Sequence, residues 1–282
     1  MTEPLSTENR AEIRQRRAWL DKSLDAASVI ILEALRRPPS IQHKGRVDLV
    51  TATDLAVEAL LTEGIRSLFP QDSILAEESG CAEALGPYRW IIDPIDGTTN
   101  FSNRLPHFCV SVALEYRGVL VMGSVFDPVK RHHFEAEVGK GTRLNGQKIS
   151  VGNTQEMIEA LLATGFSYDR HTRPDNNMGA FDHMLRRCRG IRRMGAAALD
   201  FAYVAAGWLD GYWEYRLKPW DAAAGILLVE EAGGIVTTMT GEQYSRESAD
   251  FCVSNPHLHP ELVRLIGAAP LKIGSGVGTS AQ

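Results

Sequence analysis

The chain lacks any apolar run long enough to cross a bilayer, and it lacks an excess of positive charge. Among its 282 residues, 30 lysines and arginines face 35 aspartates and glutamates, which gives a net charge of −5. Because nucleic-acid-binding proteins usually carry a dominant basic field, this balance argues against nucleic-acid binding as the main function. The polar, acidic start is typical of neither a signal peptide nor a transit peptide, so we expect a cytoplasmic protein.

Cysteine is scarce, and its placement excludes a thiolate metal centre. The four cysteines are Cys81, Cys109, Cys188 and Cys252. No pair has metal-ligand spacing, and Cys109 and Cys252 stand within apolar runs, so we predict buried free thiols in a reducing compartment. We predict that His107, His132 and His133 are surface or packing residues rather than ligands.

The remaining composition is that of a globular protein, with 44% hydrophobic and 23% charged residues. Apolar residues recur at helical spacing from 17 to 36 and from 54 to 69. Strand-like segments that read as a mainly antiparallel sheet follow, up to about residue 150. Residues 1–15 are polar, and we expect them to be frayed.

The second half of the sequence alternates strand-like and helical segments, a pattern typical of an α/β layer. We therefore predict an N-terminal α+β half over residues 1–150 and a C-terminal α/β half over residues 151–282. The Gly/Ser-rich sequence from about residue 270 predicts a flexible tail.

One run of nine residues carries the strongest chemical signal. It reads Asp-Pro-Ile-Asp-Gly-Thr-Thr-Asn-Phe over residues 93–101 and follows the apolar segment 88–92. Carboxylate oxygens suit hard divalent cations, and a glycine turn can present backbone N–H groups to phosphate. The run predicts metal-assisted phosphate chemistry, although Asp-x-x-Asp-Gly taken alone would more often be an ordinary turn.

Other acids stand at the ends of predicted elements, where binding sites are commonly built. Asp54 opens the second helix, Glu77 and Glu78 end a strand, and Asp221 opens a helix after Pro219. Taken singly, each has an ordinary role as a helix-capping or solvated acid. Together with the 93–101 run they form a group with little local basic charge, which predicts one or more divalent ions.

These motifs resemble those of the inositol monophosphatase family. The matching segments are 47–54, 77–79, 93–101, 193–200, 220–225 and 231–234, and the resemblance spans roughly residues 15–268. The segment 195–221 is similar to the bacterial branch of this family, which lies within the lithium-sensitive, Mg²⁺-dependent phosphatases. The resemblance implies a layered αβαβα sandwich of mixed α+β and α/β character, and a homodimer.

The resemblance also implies a metal-ligand set. Glu77, Asp93 and the main-chain carbonyl of Ile95 would hold a first Mg²⁺. Asp93, Asp96 and Asp221 would hold a second, and a third, weaker ion would lie near Glu77. Carboxylate and carbonyl oxygens are typical Mg²⁺ ligands, so the chemistry of the residues agrees with the implied metal.

The implied catalytic residues are Thr98, Asp54 and Glu77, with Thr98 and Asp54 orienting the attacking water. Backbone N–H groups of Gly97, Thr98 and Thr99 would cradle the phosphate. The substrate contacts implied on the far side are Arg193, Gly195, Ala196, Ala197, Glu214 and Asp221.

The leading hypothesis is hydrolysis of inositol 1-phosphate to myo-inositol and phosphate. Histidinol phosphate, fructose 1,6-bisphosphate and a phosphoadenosine nucleotide are alternative substrates. Glu214 favours a neutral polyol over a second phosphate, although it would also tolerate the amine of histidinol phosphate. A regulatory binding protein that keeps the fold is the alternative outside enzymes, supported by the arginine cluster in residues 186–193.

The chain departs from the family pattern in one loop. The family often has a lysine shortly before the segment that corresponds to 47–50, and here Lys44 is displaced by one position. The resemblance therefore does not imply that this loop closes over the metals in the usual way.

Overall fold

The computed structural model describes residues 5–36, 41–43, 49–173 and 176–269. Within these ranges the helices are α1 (Thr7–Ala34), α2 (Ala52–Leu68), α3 (Thr98–Ser102), α4 (Met178–Leu185), α5 (Ala197–Ala205), α6 (Pro219–Glu231) and α7 (His259–Gly267). The strands are β1 (Ile41–His43), β2 (Leu49–Thr51), β3 (Ser73–Ala76), β4 (Gly80–Ala82), β5 (Tyr88–Asp96), β6 (Cys109–Tyr116), β7 (Val119–Asp127), β8 (His132–Glu137), β9 (Gly141–Leu144), β10 (Gln147–Ile149), β11 (Leu161–Thr164), β12 (Gly190–Arg192), β13 (Gly211–Glu214), β14 (Ile235–Thr237) and β15 (Phe251–Ser254).

The strands form two large sheets and one small one. The first sheet has eight strands in the order β10-β9-β8-β7-β6-β5-β3-β4, and the second has five in the order β12-β11-β13-β15-β14. Strands β3 and β5 pair in parallel, whereas the other neighbours in the first sheet pair antiparallel. The mainly antiparallel sheet predicted for the first half is therefore confirmed.

Helices lie on both faces of each large sheet. Side chains of β5 alternate, so Trp90 and Ile92 pack with α1 and α2 while Ile91 packs with α5 and α6. In β13, Tyr212 contributes to the α5/α6 core, and Trp213 packs on the opposite face with α4 and α7. The order α1/α2, sheet, α5/α6, sheet, α4/α7 is the predicted αβαβα sandwich.

The first helix begins earlier than the sequence predicted. Helix α1 starts at Thr7, so the expectation that residues 1–15 are frayed is wrong for residues 7–15. Ser6 caps the helix, because its hydroxyl accepts the Asn9 N–H at 3.1 Å and the Asn9 side chain accepts the Ser6 N–H at 3.3 Å. Ile13 is fully buried and joins the added turns to the core.

A buried ion pair joins α1 to the loop before β3. The guanidinium of Arg16 donates to both carboxylate oxygens of Asp72, at 2.8 and 2.7 Å. The indole N–H of Trp90 donates to the same carboxylate at 2.9 Å. Arg16 also stacks over Tyr88 and Phe69, with distances of 3.8 and 4.7 Å to the ring centroids.

The cysteines fit the prediction at three positions and depart from it at one. All four thiols are free; Cys109, Cys188 and Cys252 are buried, whereas Cys81 is exposed. Cys81 differs because it stands on the short strand β4 at the edge of the first sheet.

Two further predictions fall outside the described residues, namely the position of Lys44 and the tail from about residue 270. Across the helices that are described, none combines the length and the apolar character needed to span a membrane.

Candidate active site

The 93–101 run begins in the last residues of β5, at the carboxyl end of that strand. The pairing of β5 with β6 shifts register between Asp93, which pairs with Ser111, and Asp96, which pairs with Cys109, as at a β-bulge. Both aspartates are buried, with 2% and 8% exposure. The N–H of Ile95 donates to Asp93 at 3.0 Å, and Gly97 takes a φ of +93° before α3 begins. A glycine suits this position because few other residues adopt that backbone conformation.

Asp54 combines a capping role with a place in the site. Its Oδ2 accepts the backbone N–H of Thr51 at 3.0 Å and the hydroxyl of Thr51, completing the cap of α2. Its Oδ1 accepts the hydroxyl of Thr98 at 3.1 Å, and that hydroxyl also lies 3.0 Å from the carbonyl oxygen of Ile95. The sequence offered two roles for Asp54, helix capping and a place in the site beside Thr98. In the structure, Oδ2 takes part in the cap and Oδ1 contacts Thr98.

Glu77 follows β3, which runs parallel to β5, so the two strand ends lie side by side. The loop after Glu77 is anchored from α2, since Glu58 accepts the N–H groups of Glu78 and Ser79, both at 2.8 Å. Glu58 is only 4% exposed, and sequence analysis did not identify it. Its place between the apolar residues Val57 and Leu61 on α2 was an available signal of burial.

Asp96 joins the first sheet to the middle helix layer. Its two oxygens accept the N–H groups of Ala197 and Ala198, at 3.2 and 2.8 Å, where α5 begins. A carboxylate at a helix N-terminus is stabilised by the exposed donors and the helix dipole. A Cβ built on Gly97 would lie 3.2 Å from both Ala196 and Gly195. The structure thus brings the turn predicted to bind phosphate against segment 195–197, which the sequence predicts to contact the substrate.

Asp221 lies in the first turn of α6, after Pro219. Its Oδ2 accepts the Lys218 N–H at 2.7 Å, so this acid also caps a helix. Burial raises the pKa of Asp221 well above its usual range, and the nearby charges of Asp96 and Glu77 raise it further.

Asp93 is close to four other acids of this group, whose negative charges oppose its ionisation. Burial, followed by the charges of Glu77, Asp96, Asp221 and Asp54, raises the pKa of Asp93 well above its usual range. Burial also raises the pKa of Asp96 to about 6. Buried carboxylates of like charge are costly unless cations neutralise them, so this arrangement fits a site for divalent metal.

The donor set of this group is one of oxygen. Cys109 is the nearby thiol, with its sulfur 3.6 Å from Asp96 Oδ2. Burial and the charge of Asp96 raise the pKa of that thiol well above its usual range, so it stays protonated and is a poor ligand. Carboxylate and carbonyl oxygens suit Mg²⁺ better than Zn²⁺.

Glu214 is the last residue of β13 and approaches the group of acids from the second sheet. The hydroxyl of Tyr212 donates to its Oε2 at 2.6 Å. Burial raises the pKa of Glu214 to about 7, against the opposing charge of the exposed Arg193. Burial, followed by the nearby charge of Glu214, raises the pKa of Asp200 well above its usual range. The Oδ1 of Asp200 has no hydrogen-bond partner among the described residues. Sequence analysis missed Tyr212 and Asp200 as neighbours of the site.

A different group of ligand-type side chains lies away from this site. Asp21, His133 and Glu135 bring one ligand atom each within 4.8 Å of one another, between α1 and β8. The guanidinium of Arg17 pairs with Glu135, and the hydroxyl of Ser124 lies 2.8 Å from His133 Nε2. Because these partners already satisfy two of its members, we assign no metal to this group.

Comparison with known proteins places the whole arrangement in context. Residues 15–270 match the model of the inositol monophosphatase family. The chain is 45% identical to the chloroplastic phosphatase IMPL1 of Arabidopsis thaliana over 85% of this chain and 67% of that protein. It is 40% identical to the Nus factor SuhB of Escherichia coli, covering 82% and 88% of the two chains. The solved structure of an inositol monophosphatase from Anabaena superposes with a TM-score of 0.84 at 39% identity, covering 92% and 98%.

Proposed function

Because the chain belongs to the inositol monophosphatase family, whose members are metal-dependent phosphate monoester hydrolases, we propose that it hydrolyses inositol 1-phosphate to myo-inositol and phosphate. One observation carries the proposal. The acids around Asp93 converge beside the 97–99 turn, and Glu214 stands near them on the wall formed by the second sheet. The first group suits metal and phosphate, and the second suits the hydroxyl groups of a polyol.

Two Mg²⁺ ions are the proposed cofactors, with a third, weaker ion near Glu77. Glu77, Asp93 and the Ile95 carbonyl would hold the first, and Asp93, Asp96 and Asp221 would hold the second. When bound, such ions lower the pKa of water and stabilise the leaving oxygen of an in-line displacement. Inhibition by Li⁺ is part of the same proposal.

Thr98 and Asp54 would manage the proton of the attacking water. The Thr98 hydroxyl has one proton and two acceptors within reach, Asp54 Oδ1 and the Ile95 carbonyl oxygen. Since its proton is engaged there, its lone pair is free to accept from a water. Burial raises the pKa of Asp54, which suits this carboxylate to receive a proton as the new P–O bond forms and the ester P–O bond breaks.

Substrate contacts would come from both sheets. We propose that the N–H groups of residues 97–99 bind the phosphate and that residues 193–197, Glu214 and Asp221 surround the alcohol. A carboxylate accepts hydroxyl donors and repels a second phosphate, which favours inositol 1-phosphate over fructose 1,6-bisphosphate. Histidinol phosphate stays the nearest rival, since its amine is compatible with Glu214.

An Asp96→Asn variant tests the metal site. It keeps one acceptor oxygen for α5 but removes the charge, so we expect phosphate release to fall by about a hundredfold or more. Release would be measured from inositol 1-phosphate, histidinol phosphate, fructose 1,6-bisphosphate and phosphoadenosine phosphate, with and without Mg²⁺ and Li⁺. Asp25→Asn, on the exposed face of α1, is the matched control. Unchanged release by Asp96→Asn would show that the chemistry lies elsewhere.

A binding role without hydrolysis is the second candidate. Five arginines at positions 186, 187, 189, 192 and 193 are exposed, and a relative at 40% identity is named as a Nus factor. A wild-type protein that releases no phosphate from any ester of the panel would favour this role.

A homodimer and a cytoplasmic location complete the proposal for the enzyme. The location is proposed because all four thiols are free. A functional division of the chain near residue 150 stays a prediction.

A further inference from the structure

Gly165 and Glu214 meet at the ends of two neighbouring strands. Strands β11 and β13 pair in parallel with Thr164 opposite Trp213, so the next residue of each strand lies beside the other. A Cβ built on Gly165 would lie 1.8 Å from Oε2, 2.1 Å from Cδ and 2.2 Å from Oε1 of Glu214. The φ of Gly165 is outside the left-handed region, so a side chain here is excluded by space and not by backbone strain.

The backbone at Gly165 is held in place from the other side by Asn177. The Asn177 amide donates to the carbonyl of Gly165 and to the hydroxyl of Thr164, both at 2.7 Å. Its carbonyl oxygen accepts the indole N–H of Trp213 at 2.7 Å, which fixes the orientation of the amide because an indole can only donate. Asn177 is 6% exposed, so loss of these bonds would leave buried groups unpaired.

The carboxylate of Glu214 has little freedom to move away either. The hydroxyl of Tyr212 donates to Glu214 Oε2 at 2.6 Å. The Glu214 carboxylate is therefore confined between the Gly165 backbone and the Tyr212 hydroxyl.

We propose that Gly165 is a specificity-determining residue of this enzyme. Its missing side chain reserves the space in which Glu214 presents its carboxylate to the alcohol half of the substrate. Asn177 is the positioning residue that keeps the Gly165 backbone from moving away from Glu214. The inference rests on the proposed function, in which Glu214 receives hydroxyl groups of a polyol phosphate.

Gly165→Ala tests this assignment by displacing the carboxylate without altering its chemistry. We expect KM for inositol 1-phosphate to rise about tenfold, the usual effect of losing one hydrogen bond to a charged acceptor. Hydrolysis of 4-nitrophenyl phosphate, which has no alcohol hydroxyls for Glu214 to bind, should be unchanged. Gly267→Ala is the matched control, because a Cβ there meets no atom within 4 Å.

A double-mutant cycle separates this role from a general structural one. In a Glu214→Ala background, Gly165→Ala should have no further effect on KM or on the thermal unfolding midpoint, because the carboxylate that it displaces is gone. Glu214→Asp, which shortens the side chain, should restore part of the affinity lost in Gly165→Ala. If Gly165→Ala alone does not fold, the Gly165→Ala/Glu214→Ala protein should fold.

Several results would overturn the proposal. They are an equal loss with both substrates, an additive effect in the Glu214→Ala background, and a double variant that does not fold. Failure of the proposed function looks different. A wild type that hydrolyses 4-nitrophenyl phosphate but not inositol 1-phosphate refutes the proposed substrate. The thermal unfolding midpoints of the double-mutant cycle would still show whether Gly165 determines the position of the Glu214 carboxylate.

Discussion

At the scale of single residues, the hydroxyl of Thr98 lies between two acceptors of the site. It is 9% exposed and lies within hydrogen-bond distance of both Asp54 and the Ile95 carbonyl. In the proposed mechanism, the hydroxyl donates its proton toward Asp54 while it holds a water by its lone pair. This role depends on the hydroxyl and hardly at all on the methyl group.

Thr98→Ala should therefore lower kcat for phosphate release by about a hundredfold, the lower range for loss of a proton-handling group. Thr98→Ser keeps the hydroxyl and should retain most of the activity. Steady-state kinetics at saturating Mg²⁺ measure the difference. An alanine variant as fast as the serine variant would remove Thr98 from the mechanism.

At the scale of elements, three acids of the site are supported by the start of a helix. Helix α2 is capped through Asp54, α6 through Asp221, and α5 receives the carboxylate of Asp96. Helix α2 adds Glu58, one turn after Asp54, which binds the loop that follows Glu77. The position of the Glu77 loop thus depends on a side chain from another element.

Glu58→Ala should weaken Mg²⁺ binding rather than abolish catalysis, because it frees the two N–H groups that hold the Glu77 loop. Loss of an outer partner of a metal ligand costs about tenfold or more in metal affinity. We expect the Mg²⁺ concentration for half-maximal activity to rise by that factor, with kcat nearly restored at high Mg²⁺. Glu63→Ala, exposed on the same helix, is the control. The same rise in the control variant would assign the effect to α2 as a whole.

The elements also show what sequence could and could not predict. Residues 93–99 are contiguous, so their meeting place followed from one loop after one apolar strand. Glu58 and Asn177 were missed because their partners are 20 and 12 residues away on other elements, where no local pattern marks the contact. Tyr212 was missed although it is two residues from Glu214 on the same face of β13, where strand alternation was an available signal. The start of α1 was missed because its first turns are mostly polar and are stabilised by the Ser6 cap and by the single buried side chain of Ile13.

At the scale of the whole molecule, the layer of α1 and α2 is joined to the rest through one large apolar core. The pair of Arg16 and Asp72 is a buried ion pair at this junction, with side-chain exposures of 9% and 1%. A buried pair adds little net stability against an apolar substitute, but removal of one partner leaves an unpaired charge inside the protein.

Asp72→Ala should therefore lower the free energy of unfolding by about 3–5 kcal/mol, the usual cost of stranding one member of a buried pair. Arg17→Ala breaks the neighbouring, half-exposed pair with Glu135 and should cost under about 1 kcal/mol. Urea unfolding of both variants measures the contrast, and the Asp72→Ala protein should still release phosphate while folded. Equal losses of unfolding free energy in the two variants would mean that burial of the Arg16–Asp72 pair does not increase the cost of removing one partner.

The bonds between Asp96 and the start of α5 bear on how the protein is made. Asp96 accepts N–H groups from residues that follow it by 101 and 102 positions. A growing polypeptide that has completed the first sheet still lacks these donors and also lacks Asp221. The proposed metal position that uses Asp96 and Asp221 could therefore form only after most of the chain has left the ribosome, whereas Glu77, Asp93 and Ile95 are made earlier. A fully metal-loaded centre would then be a late marker of successful biosynthesis.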